Sequence, residues 1–171
     1  FLDTPGHEAF AAIREHGAHL TDIVIIVVAA DDGVKPQTVE AIRFATKAGA
    51  RIIVAINKID KEGANPNQAK QQLSEHNLLV EEWGGDIVAV EVSAKTKQGI
   101  DQLLDMILLV SDVEDLRAGS SGPATGLIIE AHVEQGRGPI AHALVESGTL
   151  KRGDYMVAGG TYGKIRTLET S

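Results

Sequence analysis

Ile52-Ile53-Val54-Ala55-Ile56-Asn57-Lys58-Ile59-Asp60 is the stretch on which the reading of the fold turns. Five consecutive aliphatic residues without polar alternation demand a strand covered on both faces, as in a parallel sheet between helices. The polar tetrapeptide begins where that strand stops, at the sheet edge where open α/β folds bind ligands. Two other runs, Ile23–Ala30 and Ile87–Val92, share this texture. Helical patterns separate the runs. Glu8–His19 follows the strand remnant Phe1-Leu2, and Pro36 stands at a helix N1 position ahead of Val39, Ile42 and Phe44. Asn65-Pro66 is a cap-plus-N1 pair opening a helix toward Leu78. Ile100–Val110 carries Leu103, Leu104, Ile107 and Leu108 at the spacing of a core-facing stripe. The alternation predicts an α/β unit, a parallel sheet with helices on both faces and right-handed crossovers, through residue 115.

Beyond it the texture changes. Residues 116–124 form a small-residue linker, and 118–122 (Ala-Gly-Ser-Ser-Gly) would also suit an engineered join. Short runs then alternate with turn signals at Gly136-Arg137-Gly138-Pro139, Ser147-Gly148, Arg152-Gly153-Asp154 and Gly159-Gly160. Strands of about five to nine residues with such punctuation predict a truncated antiparallel β-barrel over 125–171.

Composition narrows the classes. In 171 residues, 43% are hydrophobic and 5 are Pro, which excludes disordered, collagenous and mucin-like chains. The formal charge of -8 speaks against wholesale coating of nucleic acid, although a local basic face stays open. With no Cys there is no disulfide framework, thiolate zinc site or Cys nucleophile. The longest aliphatic run, Ile23–Ala30, falls far short of the ~20 residues that span a bilayer.

Three motifs carry chemistry. Asp60 can accept two hydrogen bonds from adjacent N–H donors on a guanine edge, a pair that adenine lacks. Asn57 would bridge neighbouring loops and the base, and the Lys58 stem would lie along the ring. A surface loop reading Asn-Lys-x-Asp looks the same in sequence. In Asp3-Thr4-Pro5-Gly6-His7, Asp3 could hold Mg²⁺ through water. Gly6 would let a backbone N–H approach a terminal phosphate, and His7 follows where an attacking water would sit. A capped helix start explains the same residues. Ser93-Ala94-Lys95 closes the Ile87–Val92 strand, where a plain strand-to-helix turn also fits. All three motifs stand at C-terminal strand ends and so meet at one edge of one sheet.

Asp-x-x-Gly, Asn-Lys-x-Asp and Ser-Ala-Lys are three of the five boxes of GTP-binding proteins, and Asp3–Glu8 is similar to the form found in translational GTPases. Phe1–Phe10, Asp22–Gly33 with Pro36-Gln37-Thr38, Ala55–Lys61 with Gly63–Pro66, and Glu81–Gly85 closely resemble the bacterial translation initiation factor two family. Gly136–Pro139 and Gly148-Thr149-Leu150-Lys151-x-Gly153-Asp154 extend the resemblance through the second unit. The resemblance implies the C-terminal part of a P-loop-type GTPase domain over 1–115, a linker over 116–124 and a partial β-barrel domain over 125–171. It implies GTP/GDP as ligand, with Mg²⁺ held through water by Asp3, Gly6 sensing the γ-phosphate and His7 positioning the hydrolytic water. Thr4 and Pro5 complete that segment. Asn57, Lys58, Ile59 and Asp60 would select guanine, and Ser93, Ala94 and Lys95 would support the base.

For the parent protein it implies GTP hydrolysis, initiator tRNA binding through parts outside this chain, contact with both ribosomal subunits, a cytoplasmic location and no membrane. The rival readings are another translational GTPase, such as an elongation factor, and a non-enzymatic ribosome-binding module. The family's phosphate loop ending Gly-Lys-Thr and its first switch segment do not occur in these residues. The expectation is therefore a fragment whose parent hydrolyses GTP and which alone is inactive.

Other residues carry weaker signals. His16 and His19 lie three apart, and His132 and His142 could face each other across a hairpin; surface or packing roles suit both pairs better than a metal. Asp31-Asp32 reads as a loop into a helix rather than a metal pair, and Trp83 as a packing anchor. Lys151-Arg152 and Lys164 with Arg166 fit either an RNA contact or solvated strand edges.

Overall fold

The computed structural model describes residues 1–3, 17 and 21–169. The helix expected over Glu8–His19 falls almost wholly outside them. Two compact units result, Phe1–Leu116 and Arg117–Ser171.

In the first unit, β1 (Ile23–Ala29), β2 (Arg51–Asn57) and β3 (Val88–Glu91) form a parallel sheet in that order. The register places Ala29 beside Asn57 and Ile56 beside Glu91, so the three strand ends stand abreast. Helices α1 (Pro36–Ala48), α2 (Pro66–Glu75) and α3 (Ile100–Val113) complete the unit. The central strand justifies its aliphatic run. Ile52, Val54 and Ile56 pack with Ile42 and Ala45 of α1 and Ala69 and Leu73 of α2, while Ile53 and Ala55 pack with Val88, Val90 and Val110 on the other side. Two dry layers on opposite faces of one strand are what period-2 geometry makes of a continuous apolar run.

Helix ends follow local chemistry. Pro36 and Pro66 open α1 and α2, and the Asn65 side chain caps α2 by accepting from the Gln68 N–H at 3.1 Å. The α2 helix stops at Glu75, three residues short of Leu78, which is nonetheless buried. Gly99 opens α3 at φ 73°, and a Cβ there would stand 2.2 Å from the Glu91 carbonyl oxygen. Only glycine lets the 93–99 loop turn back this tightly on the strand it leaves.

Two expectations need correction. On β1 one position is open, with Val27 59% exposed, so the strand is not dry along its whole length; a paired strand meets only an edge, and a face is covered only where a helix packs on it. On α3 the inward face is Ile100, Leu103, Met106, Ile107 and Val110. Leu104 and Leu108 turn away and are 44% and 65% exposed, since a single sheet covers only one side of the helix.

In the second unit, β4 (Thr125–Glu134) pairs antiparallel with β5 (Gly138–Ser147), and β6 (Tyr155–Ala158) with β7 (Thr161–Lys164). The first two strands run to ten residues and the last two to four, a wider spread than the turn spacing suggests. The predicted turns join them, with Gly136 and Gly159 both at positive φ. Among the described residues these are two separate pairs. The small-residue stretch before β4 is fastened to the 148–149 turn: Gly148 N–H donates to Gly119 O (2.7 Å) and Thr149 Oγ1 to Ser120 O (2.6 Å).

Candidate functional site at the strand ends

The site is built from two loops that leave adjacent parallel strands. Asn57 ends β2, and its Oδ1 accepts two backbone N–H groups, from Lys58 at 2.7 Å and from Ala94 at 3.0 Å. One side chain thereby joins the loop after β2 to the loop after β3. Lys58 takes a left-handed conformation, φ 65°, uncommon for a residue with a long side chain. That twist turns the chain so that Ile59 lies against the apolar core while Asp60 is exposed.

Asp60 meets the second loop directly. The Ser93 hydroxyl, fully buried, donates to Asp60 Oδ1 at 2.6 Å and accepts from the Thr96 N–H at 3.1 Å. The Ser93 bond holds the Asp60 carboxyl below the ordinary carboxylate range, and the Lys95 ammonium acts in the same direction; burial opposes both. Asp60 is thus an ionised, oriented acceptor at neutral pH. Ala94 contributes its backbone N–H, and Lys95 is exposed.

These contacts bring together Asn57, Lys58, Ile59, Asp60, Ser93, Ala94 and Lys95. Asp3 is exposed and takes part in none of the contacts described here, and Thr4, Pro5, Gly6 and His7 lie outside the described residues. The arrangement offers one ionised carboxylate, neighbouring amide groups and the ammonium groups of Lys58 and Lys95. Chemically it can read a flat heterocycle that presents paired N–H donors.

Residues to which the sequence assigned no part in this site also converge here. Asp31, just past β1, receives a hydrogen bond from Lys61 Nζ, and its other oxygen lies 3.8 Å from Lys58 Nζ. The 30–33 segment forms the loop expected. Asp32 turns to Lys35 at 3.3 Å, and no cluster of three metal-ligating side chains occurs among the described residues. Gly33, at φ 69°, leaves room for Gln72 of α2, whose Oε1 accepts from the Val34 N–H at 2.8 Å.

Lys70 of α2 is 2% exposed and donates to Glu82 (2.7 Å) and Glu91 (2.9 Å), tying α2 to the end of β3. A lone lysine in an amphipathic helix gives no sequence sign of this. Trp83, expected as a packing anchor, is 44% exposed, since its 3-10 turn rides on the surface. His132 and His142 do stack across the β4–β5 hairpin, centroids 6.0 Å apart.

The sequence profile described as the elongation factor Tu GTP binding domain matches residues 1–112, and that described as elongation factor G domain 2 matches residues 123–171. Over 168 residues, 98% of this chain, the sequence is 62% identical to translation initiation factor IF-2 of Caldicellulosiruptor saccharolyticus and 60% identical to IF-2 of Clostridioides difficile. The chain spans 20% and 26% of those relatives. Among solved structures, a bacterial selenocysteine-specific elongation factor EF-Sec aligns over 95% of this chain and 28% of its own, with 29% identity and TM-score 0.71. GDP-bound aIF5B from Aeropyrum pernix aligns over 82% of this chain and 30% of its own at the same TM-score and 24% identity, a likeness of fold. From the profile that covers residues 1–112, the chain belongs to the elongation factor Tu GTP binding domain family.

Proposed function

We propose that this chain is the base-reading portion of a translation initiation factor that binds and hydrolyses GTP while promoting initiator tRNA binding and ribosomal subunit joining. The observation that carries the proposal is the Ser93–Asp60 contact of 2.6 Å, which supports Asp60 as an ionised acceptor at the sheet edge. Two adjacent N–H donors of guanine satisfy such a carboxylate, whereas adenine leaves it unpaired. Asn57 links the two loops and contributes its amide, the Lys58 stem covers the ring, Ile59 anchors the turn in the core, and Ser93-Ala94-Lys95 back the base. Identity near 60% with proteins named IF-2 over 98% of the chain supports the initiation factor over an elongation factor or a plain binding module.

The domain division follows the same reading: the C-terminal part of a GTPase domain over 1–115, a linker over 116–124 and part of a β-barrel domain over 125–171. In the Asp3–His7 segment, Asp3 is the carboxylate that would hold Mg²⁺ through water, and the exposed position of Asp3 is compatible with a hydrated ion. When bound, Mg²⁺ supplies charge neutralisation at the phosphates. Thr4 and Pro5 belong to the same segment, in which Gly6 would admit a backbone N–H to the terminal phosphate and His7 would orient the attacking water. Phosphoryl transfer needs positioning and charge stabilisation above all, so a few side chains suffice. The partners are the ribosome, through both subunits, and initiator tRNA through parts of the longer protein outside this chain. The location is the cytoplasm; among the described residues no helix is long and apolar enough to cross a membrane.

An amide-resolved NMR titration of the 171-residue chain tests the base reading. Millimolar GDP is expected to shift the amides of Asn57–Lys61 and Ser93–Lys95, and ADP to leave them in place. Equal responses to both nucleotides, or none to GDP, would sink the proposal.

A further inference from the structure

Where β1 ends, the chain makes a second attachment to the base-reading loop. Ala30 donates its N–H to Asn57 O at 2.7 Å, and its carbonyl accepts from the Asn65 N–H at 2.8 Å. The segment between Asn57 and Asn65 is thus pinned at both ends to one residue. Asp31 follows immediately, with its side chain 10% exposed. Its Oδ2 accepts from Lys61, and its Oδ1 is buried, accepts no hydrogen bond and has Lys58 Nζ at 3.8 Å.

We infer that Asp31 is a positioning residue for guanine recognition, its carboxylate gripping Lys58 and Lys61 so that the turn between them presents Asp60 to the base. The inference rests on the base reading proposed above and adds a specificity determinant to it. Lys58 and Lys61 are the residues on either side of Ile59-Asp60, and one carboxylate holds both ammonium groups. Each lysine is half-exposed, so as an isolated surface pair either contact would matter little. Their shared anchor is different, because it restrains both ends of a turn that starts from the left-handed Lys58.

A buried carboxylate oxygen without a donor is unfavourable unless neighbouring charge compensates it. The two lysines supply that charge. Lys61 holds the Asp31 carboxyl below its ordinary range, and Asp31 in turn raises Lys61. Asp32, its neighbour in sequence, pairs with Lys35 and touches Lys61 only through a lesser charge effect, so it serves as the control for charge without the grip.

The test compares wild type with Asp31→Asn, Lys61→Met and the control Asp32→Asn. Amide hydrogen exchange of Ile59, Lys61 and Ala64 is followed without nucleotide, and binding of GDP and of inosine diphosphate, which lacks the 2-amino group, is followed by amide shifts. Asp31→Asn and Lys61→Met are expected to speed loop exchange about tenfold while leaving the β2 amides unchanged. The GDP preference, about tenfold in wild type, should fall below about threefold in both variants and persist in Asp32→Asn. A merely structural role would weaken both nucleotides together and leave their ratio alone. Unchanged loop exchange in Asp31→Asn would overturn the grip whether or not GDP binds. Faster loop exchange with an unchanged nucleotide ratio would overturn its part in recognition. A wild type that responds to neither nucleotide would refute the base reading itself, and this role with it.

Discussion

Asn57→Ala removes a side-chain oxygen that joins the two loops beside the Ser93–Asp60 contact. The Asn57 Oδ1 accepts from Lys58 N and Ala94 N at 2.7 and 3.0 Å, and alanine replaces neither bond. Neutral hydrogen bonds contribute about 1 kcal/mol each, and at this half-buried position water compensates part of the loss. The expected cost is about 1.5 kcal/mol. With a denaturant slope of ~2 kcal/mol/M, the urea midpoint of the first unit should fall by about 0.7 M. Trp83, the sole tryptophan, lies in that unit and reports its unfolding by fluorescence. Asn57→Asp separates the two duties of the residue. It keeps an acceptor oxygen for both backbone N–H groups, so its midpoint should fall by less than half as much, but it lacks the amide donors that a base acceptor would need. GDP-induced shifts should therefore vanish in both variants while stability separates them. A midpoint change below about 0.2 M in Asn57→Ala, or equal losses in the two variants, would refute the bridging argument.

Other outcomes follow from the same contacts. The Asp60 carboxyl should titrate below 3.8, because the Ser93 hydroxyl favours its ionised form. A group lowered in the folded state stabilises it fully above the unfolded value and loses that contribution as pH falls through the folded one. Carbon-13 titration of the side chain should show this, and Ser93→Ala should move the midpoint up toward 3.8; an unmoved midpoint would assign the shift elsewhere. At Lys70 packing should outweigh charge. Its ammonium is buried, whereas Glu82 and Glu91 are 60% and 43% exposed and can return to water. Lys70→Met should cost under about 1 kcal/mol, and Lys70→Ala about 2.5 kcal/mol for three buried methylenes. Urea unfolding that finds the two equal would show that the ion pairs dominate.

Much of the sheet was legible because Ile52–Ile56 admits one physical solution, a strand dry on both sides. Once the strands are parallel, Asn57, Asp60 and Ser93 must gather at their C-terminal ends, and the contacts follow from a register that sets Ile56 beside Glu91. What escaped depends on that register and on depth rather than on pattern. Asp31 meets Lys58 and Lys61 only because Ala29 pairs with Asn57, and no local spacing encodes that pairing. Lys70 reads as a surface residue because charge normally marks the wet face of a helix. Leu104 and Leu108 belong to an apolar stripe wider than the sheet beneath it, and periodicity cannot say how much of a stripe will be covered.

The central claim, that the strand-end carboxylate reads the guanine edge, is tested most directly by Asp60→Asn. Asparagine presents donors as well as an acceptor, and xanthine carries an acceptor where guanine carries its 2-amino donor. Amide-resolved titration of the variant should show weaker binding of GDP than in wild type and a gain for xanthosine diphosphate. Retained preference for GDP over xanthosine diphosphate in Asp60→Asn would contradict the account.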